Sequence, residues 1–431
     1  MNGLSVHTGA DRLIVIVAPN VSLTMGGEAL KAHQYVRTLL RRGARVAVIT
    51  HARCRNDVRD LLPPGTGRFV EDDWVQRFLW RSVIFRFALS PYFHAEARRM
   101  IALIASGENM IVHYLCPISP LEPRLSSPKS PTVIGPLNGN ISYPPGSMGR
   151  LGWRARLHAS IYGAASRVAA VALLRERLRS AILVSGGKRT LETLGPSALG
   201  RGTVLEVADS GVSAEMLARK PVVHIGRNAS FYTCARLVDF KGVDLAIKAV
   251  ARSDRDVTLD IVGDGPLRGL LEDLAAALGV ADRVRFRGWI PHADLATEIS
   301  HFRGFVFPSL SEANGIAMQE AMICGLPTVA LKWGGPELLA DAKSAILIDP
   351  IGEAEVVAGL ALAMNQLAGN ADLANEIAQN ARLRTERVFD WEVVAEAWGR
   401  AYDLAAGLAG VSGAARGDGQ RSNGLGRLRK T

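Results

Sequence analysis

The chain is punctuated by short, unbroken apolar runs, each followed by a glycine-containing loop and then a helix-length segment. The first is Arg12-Leu-Ile-Val-Ile-Val-Ala18. A run of that length without polar alternation suits a strand buried on both faces, as in parallel sheets covered by helices. It leads through Met25-Gly26-Gly27-Glu28 into Ala29–Arg42, where Leu30, Tyr35, Val36, Leu39 and Leu40 recur at helical spacing before Gly43 stops the helix. Arg45-Val-Ala-Val-Ile-Thr50 is the next strand. Strand, glycine loop, helix and strand open a Rossmann-like unit. Further strands are expected at Met110–His113, Thr132–Ile134, Ile182–Ser185 and Thr203–Val207.

The second half repeats the logic. Ser230–Ala235 reads as a strand and Val243–Ala251 as a helix. Val257–Val262 is a strand ending in Gly263-Asp264-Gly265-Pro266, and Leu267–Leu278 a helix. Val284–Arg287, Gly304–Phe307, Thr328–Leu331 and Ala345–Ile348 are further strands. The expected fold class is α/β, with two doubly wound Rossmann-like domains facing across a cleft. Ligands of such sheets bind at the carboxyl ends of the strands, hence in that cleft. Residues 1–215 are assigned to the first domain and 216–410 to the second, with Pro221 and Gly226 interrupting the pattern at the boundary. Residues 411–431, rich in glycine and arginine, are expected to form a disordered basic tail.

The 431 residues carry a net charge of +10, with 21% charged and 48% hydrophobic residues, which excludes wholesale disorder. Residues 1–215 hold 27 basic and 15 acidic residues, net +12, whereas 216–431 hold 24 and 26, net −2. The first half is therefore the one expected to face an anionic surface or substrate. No run of about 18 apolar residues marks a transmembrane helix, and Met1–Asp11 lacks the pattern of a secretory leader. Cys54, Cys116, Cys234 and Cys324 show no paired spacing, so neither a disulfide framework nor a zinc site is expected and a cytoplasmic location is.

Chemistry concentrates in Glu312-Ala-Asn-Gly-Ile-Ala-Met-Gln-Glu320, two carboxylates with seven residues between them. Glu312 belongs to the loop at a strand's carboxyl end. A helix starting near Gly315 carries Glu320 and aims its free first-turn N–H groups into the cleft, where they suit a phosphate. Arg236-Leu-Val-Asp-Phe-Lys241-Gly242 lies at the same edge, where a guanidinium fork and an ammonium five residues apart can clamp a diphosphate.

Taken in order, Arg236-Leu-x3-Lys241-Gly242, Val262-Gly-Asp-Gly-Pro266, Val284-x-Phe-x-Gly288 and Phe307-Pro-Ser-x3-Glu312-x7-Glu320-Ala-Met-x2-Gly325-x-Pro327 resemble the nucleotide-binding domain of retaining glycosyltransferases of the GT-B fold, family 4 (group 1). Gly26-Gly27, His113 after a strand, and Gly135-Pro-Leu-Asn-Gly139 followed by Tyr143-Pro-Pro145 match too, the last resembling a subset of bacterial polysaccharide-assembly transferases. The resemblance implies transfer of a sugar from a nucleotide-diphosphate donor, UDP or GDP, to a glycan or lipid-linked acceptor, with no metal and no other cofactor. It implies that Arg236 and Lys241 bind the diphosphate, Glu320 the ribose and Glu312 the transferred sugar's hydroxyls. Backbone at Gly315, Ile316 and Ala317 would approach sugar and phosphate, and backbone near Trp289 and Ile290 the base. Gly26 and Gly27 would admit the phosphates, and His113 would line the acceptor side near the anomeric carbon. Ala313-Asn314-Gly315 stands where the family often has Gly-Phe-Gly, so Asn314 alters the sugar subpocket.

Other signals are weaker. Ser185-Gly-Gly-Lys-Arg189 lacks the first glycine and the Ser/Thr of a phosphate loop and reads as a strand-end loop. Arg77-Phe-Leu-Trp-Arg81 through Phe85-Arg86-Phe87, Arg150-Leu-Gly-Trp153-Arg154-Ala-Arg156, and Arg175-Glu-Arg-Leu-Arg179 mix arginines with large apolar residues. Two readings stand: solvated helix faces with aromatics in the core, or contact with an anionic membrane at the inner face of the plasma membrane, which a lipid-linked acceptor favours. Two rivals to the transferase reading are a sugar-nucleotide epimerase or glycosidic phosphorylase on the same fold, and nucleic-acid binding. No helix-turn-helix, zinc-finger or RNA-binding signature supports the latter, and no nucleic-acid partner is expected.

Overall fold

The computed structural model describes residues 12–82, 85, 88–104, 109–116, 118–124, 130–139, 142–150, 168–169, 171–194 and 203–417. The segment Trp153–Arg156, the pair Arg86-Phe87 and the chain beyond Gly417 lie outside them.

The apolar runs form two parallel sheets. In the first half these are β1 (Leu13–Val17), β2 (Arg45–His51), β3 (Gly67–Val70), β4 (Met110–Tyr114), β5 (Thr132–Leu137), β6 (Ser180–Val184) and β7 (Val204–Glu206), in the order β3-β2-β1-β4-β5-β6-β7. The second half contributes β8 (Ser230–Cys234), β9 (Thr258–Val262), β10 (Val284–Gly288), β11 (Gly304–Phe307), β12 (Thr328–Leu331) and β13 (Ile346–Ile348), in the order β10-β9-β8-β11-β12-β13. Of these, β3 escaped the sequence reading because Gly-Arg-Phe-Val carries no apolar run and sits at a sheet edge, where little needs burying. Both sheets reverse their winding at an inner pair, β1 and β4 in one and β8 and β11 in the other, and each reversal opens a crevice at the strands' carboxyl ends.

The division at 215 needs correction at the far end of the chain. The last helix, Trp391–Gly417, does not finish the second domain. Its Trp391, Val394, Trp398, Tyr402 and Ala405 enter the first domain's core beside Ile14, Ile16, Tyr35 and Val36. The Trp398 indole donates to the Ala208 carbonyl (3.0 Å) and the Tyr35 and Tyr402 hydroxyls bond at 2.7 Å. Helical periodicity identifies that face of the helix but not which domain it meets. The chain thus crosses twice between domains, at residues 209–213 and 389–391, and the two crossings touch: Val212 N–H donates to the Phe389 carbonyl (2.6 Å). The helix also runs on to Gly417, past residue 411 where a tail was expected to begin. Among the described residues no helix is long and apolar enough to cross a membrane.

Candidate active site

The second domain lays its expected site residues in a row along one sheet edge. Ile290 follows β10, the Gly263–Pro266 turn follows β9, Arg236 follows β8 and Glu312 follows β11. At about 4.8 Å per strand, β10 to β8 spans about 10 Å, a distance on the scale of a nucleotide. Two glycines make the row possible. Gly263 (φ 122°) leaves no room for a Cβ against the Ala235 carbonyl, so its turn can close on the loop after β8, where Leu237 N–H donates to the Asp264 carbonyl (3.0 Å). Gly242 (φ 63°) packs against the Pro308 carbonyl just as closely, between the one-turn helix Asp239–Lys241 and the helix Val243–Arg252.

That approach carries Lys241 to the loop after β11. Its ammonium donates to the Glu312 carboxylate, both half-buried, and lies 5.4 Å from the centre of the Phe240 ring. The two residues stand 71 positions apart in the sequence. Arg236 is exposed on the adjacent loop. Gly315 (φ 100°) starts the helix Ile316–Ile323, which places Glu320 on the inner side. Glu320 is 9% exposed and lines a small recess at the domain seam with Lys31, Ser210 and Ile316. It adds to the desolvation that pushes the thiols of Cys234 and Cys324 up to about 12 and about 11.

Across the cleft, Gly26 (φ 100°) caps the helix Gly27–Arg41. A Cβ on Gly27 would lie 3.3 Å from the Ile316 Cδ1, so two helix N-termini, one from each domain, face each other. Both present free N–H groups and the positive end of a helix dipole to the same space. Asn314 is committed elsewhere: its amide donates to Ser210 Oγ (2.6 Å), and Ser210 Oγ donates to Gln319 Oε1 (3.0 Å). The residue that departs from the resemblance thereby ties the Glu312 loop to the interdomain crossing.

His113 is not a cleft residue. It is fully buried, its Nδ1 2.9 Å from the Tyr402 hydroxyl and its Nε2 2.7 Å from the Gly135 carbonyl, with Tyr35 and Trp398 edge-on to its ring. Burial holds its pKa down to about 4, the Gly135 bond opposing and Lys31 assisting. The returning helix covers the face of β4 on which the sequence reading expected an acceptor.

Residues to which no role was given complete the seam, some inside the Gly135–Gly139 and Tyr143–Pro145 motifs and some outside any motif. Asn138 Nδ2 donates to the Ala313 carbonyl (2.8 Å), and Arg189 joins it there (3.1 Å) while also holding the Gly139 carbonyl. Lys188 lines, with Glu312 and Trp333, a cavity of about 370 Å³ between the domains. The pattern Ser185-Gly-Gly-Lys-Arg189 failed as a phosphate loop, yet its position after a buried strand was the signal that it reaches the cleft. Tyr143 donates to Asp239 (2.6 Å), and Arg150 binds Asp244 (2.7 Å) near Asp239 and Glu353. Arg150 is thus an interdomain tie and not a membrane contact. Arg177, buried, donates to the Leu194 and Pro120 carbonyls (2.7 and 2.8 Å) and has no membrane-facing role either. Beneath the seam Lys31 and Asp209 form a buried ion pair (3.2 Å), Asp209 accepting also from Ser185 Oγ. Burial works against the Lys31 ammonium, but Asp209, Cys116 and Glu28 overcome it and its pKa is raised.

Two parallel sheets facing across a cleft, with Glu312 in the loop and Glu320 on the helix at the second sheet's switch point, have the arrangement of the GT-B fold. Residues 218–384 match the family described as glycosyl transferases group 1, and the second domain is a domain of that family. Over 172 residues the chain is 33% identical to a GDP-mannose-dependent alpha-(1-6)-phosphatidylinositol monomannoside mannosyltransferase of Mycolicibacterium smegmatis, covering 36% of this chain and 45% of that protein. It is 33% identical over 164 residues to the lipopolysaccharide core biosynthesis glycosyltransferase LpsE of Rhizobium meliloti, covering 38% and 46%. The chain spans about half the length of these curated relatives. Among solved structures, WaaG, a glycosyltransferase involved in lipopolysaccharide biosynthesis, superposes with a TM-score of 0.62 at 17% identity, covering 91% of this chain and all of that one. Anabaena HepE in complex with UDP and glucose gives 0.62 at 19%, covering 92% and 100%.

Proposed function

We propose that the protein transfers a sugar, with retention and without a metal, from a UDP- or GDP-sugar to a glycan or lipid-linked acceptor in the synthesis of bacterial cell-surface polysaccharide. The observation that carries this reading is the Lys241–Glu312 contact beside two facing helix N-termini. Breaking the bond between sugar and diphosphate leaves oxocarbenium character on the sugar and negative charge on the diphosphate. Cations and helix N-termini stabilise that charge, and hydrogen bonds to sugar hydroxyls orient the ring. Arg236 and Lys241 serve the diphosphate, with the amides of Gly315, Ile316 and Ala317 on one side and of Gly26 and Gly27 on the other. Glu312 holds sugar hydroxyls, Glu320 the ribose, and the backbone at Ile290 the base. The acceptor oxygen bonds to the anomeric carbon as the bond to the diphosphate breaks, and the acceptor proton passes to the leaving phosphate oxygen on the same face.

The dependence of one relative on GDP-mannose and the UDP bound in a solved neighbour support a nucleotide-sugar donor, with either uridine or guanosine as its base. A peripheral place at the inner face of the plasma membrane rests on the helix Trp74–Arg81. Its Trp74 and Phe78 are exposed beside Arg77 and Arg81, an apolar and basic surface suited to an anionic bilayer. A thermal-shift panel of UDP-, GDP- and ADP-sugars tests the donor assignment. One nucleotide class should raise the melting temperature through mass action, and no response to any of the three would overturn the reading. Transfer should persist in excess chelator.

A further inference from the structure

The loop that carries Glu312 belongs to the second domain, yet much of what holds it comes from outside that domain. Three consecutive residues are pinned. The Glu312 carbonyl accepts from Gly335 N–H (2.9 Å), within the second domain. The Ala313 carbonyl accepts from Asn138 Nδ2 (2.8 Å) and Arg189 Nη2 (3.1 Å), both in the first domain. The Asn314 amide donates to Ser210 Oγ (2.6 Å) in the interdomain crossing, where the fully buried Gln319 binds the Ser210 hydroxyl and carbonyl (3.0 and 3.4 Å). On the side of β12 there is no slack. A Cβ on Gly334 (φ 68°) would lie 2.7 Å from the Glu312 carbonyl oxygen, and one on Gly335 2.3 Å from that of Asn314.

The two first-domain donors converge on one carbonyl from different elements. Asn138 follows β5, and Arg189 stands in the first turn of the helix Gly187–Leu194, after β6. Arg189 spans the seam: its Nη1 donates to the Gly139 carbonyl of its own domain (3.0 Å) and its Nη2 to the Ala313 carbonyl of the other. A planar guanidinium holds two carbonyls in fixed geometry, whereas an ammonium is a single flexible point. Asn138 is buried, and its Nδ2 is shared between Ala313 and Ser185 Oγ (3.3 Å), which donates in turn to Asp209. The ties from Tyr143 to Asp239 and from Arg150 to Asp244 grip a different part of the second domain.

A backbone has only two soft dihedrals per residue. With the Glu312 and Ala313 carbonyls both bound, the two peptide planes flanking Ala313 are fixed, and with them the direction in which the Glu312 side chain leaves the chain. A carboxylate aimed before its ligand arrives loses less freedom when the ligand binds. Because both donors to the Ala313 carbonyl come from the first domain, the aim is complete only when the domains are together. We propose that Arg189 and Asn138 are positioning residues that set Glu312 for the donor sugar. The first domain thereby takes part in recognising a sugar whose nucleotide sits on the second. This rests on the transferase reading above.

Calorimetry on the full-length protein tests it, with UDP-glucose, UDP-galactose, UDP-N-acetylglucosamine and GDP-mannose against bare UDP and GDP. The quantity read is the affinity of a nucleotide sugar relative to its own nucleotide, for the sugar with the highest ratio in the unaltered protein. Arg189→Met should lower that ratio about tenfold, the scale of one charge-assisted hydrogen bond, and leave the affinity for the bare nucleotide unchanged. Asn138→Ala should act in the same sense, and Arg189→Lys should restore only part of the ratio. Arg189→Met added to Glu312→Gln should lower it no further than Glu312→Gln alone, because the arginine acts through that carboxylate. Arg189 is partly exposed, so its variants keep the fold. Without any ligand, hydrogen exchange at the amides of residues 313–317 and Gly335 should quicken in Arg189→Met. An unchanged ratio, equal losses for nucleotide and nucleotide sugar, full restoration by Arg189→Lys, or additive losses in the double variant would each overturn the proposal. If the unaltered protein binds none of the nucleotides, the transferase reading fails instead, and unchanged exchange at the loop amides would then overturn the clamp as well.

Discussion

The two domains share one architecture but write their crevices into the sequence differently. In the second domain the crevice is lined by three short groups, each compact along the chain: Arg236 and Lys241, the Gly263–Pro266 turn, and Glu312 through Glu320. In the first it is assembled from Asn20, Glu28, His51, Gln76, Trp80 and Glu122, drawn from several different loops and helices. The second domain is net acidic and the first strongly basic, yet the proposed diphosphate site lies on the acidic one. A few placed cations and a helix start therefore outweigh bulk charge, because the interaction that matters is made at contact distance, inside the Debye length of about 8–10 Å.

The sharpest way to break the contrast is to disable each crevice separately. Glu312→Gln and Arg236→Ala should lower transfer by about 10²–10³-fold with unchanged circular dichroism; near-normal turnover in either would remove that residue from the donor site. Removing a core group on the first-domain side should act on stability instead. Asp209→Asn leaves the Lys31 ammonium buried without its counter-charge and should cost about 3 kcal/mol in denaturant unfolding.

His113 offers an effect of similar size with a definite sign. Its folded pKa near 4 lies below the unfolded value of about 6.5. The unfolded chain therefore binds a proton that the folded protein refuses, and its stability contribution is complete above pH 6.5 and lost as the pH falls from 6.5 toward 4. The loss should reach about 3 kcal/mol. His51 and His94, also held down to about 4 by burial, act in the same window. His113→Gln should flatten part of this acid sensitivity while nucleotide binding, measured by calorimetry, is retained; loss of binding with an intact fold would return His113 to the site.

Smaller effects separate the surfaces. Arg77→Gln with Arg81→Gln should weaken binding to phosphatidylserine-containing vesicles by about 2 kcal/mol, at about 1 kcal/mol per arginine, read by co-sedimentation and absent on neutral vesicles. Tyr143→Phe, which removes one exposed bond between the domains, should cost at most about 1 kcal/mol and show in the donor KM before it shows in the melting temperature.

The strands and the facing pair of α/β units were legible because buried parallel strands need continuous apolar runs, and those runs are local. The row of residues proposed to bind the donor could be placed at one sheet edge from the sequence because its residues sit within a few positions of strand ends and helix starts. Lys241 and Glu312 were singled out individually, but their contact was not, since it depends on Gly242 packing against the Pro308 carbonyl. His113 misled for the converse reason. A histidine after a strand reads alike whether the space beside it holds a substrate or a helix arriving from 289 residues further on.

By itself, then, the sequence determined the element types and the two parallel sheets, which follow from periodicity and short-range backbone chemistry, and it named the groups proposed to bind a diphosphate. Only the tertiary structure decided that the last helix belongs to the first domain's core, that His113 lies buried beneath it, and that side chains scattered between Pro19 and Glu122 line one cavity. Those outcomes depend on which buried face meets which. The hydrophobic effect that drives such meetings is non-directional, so the choice lies in the shape of the packed whole.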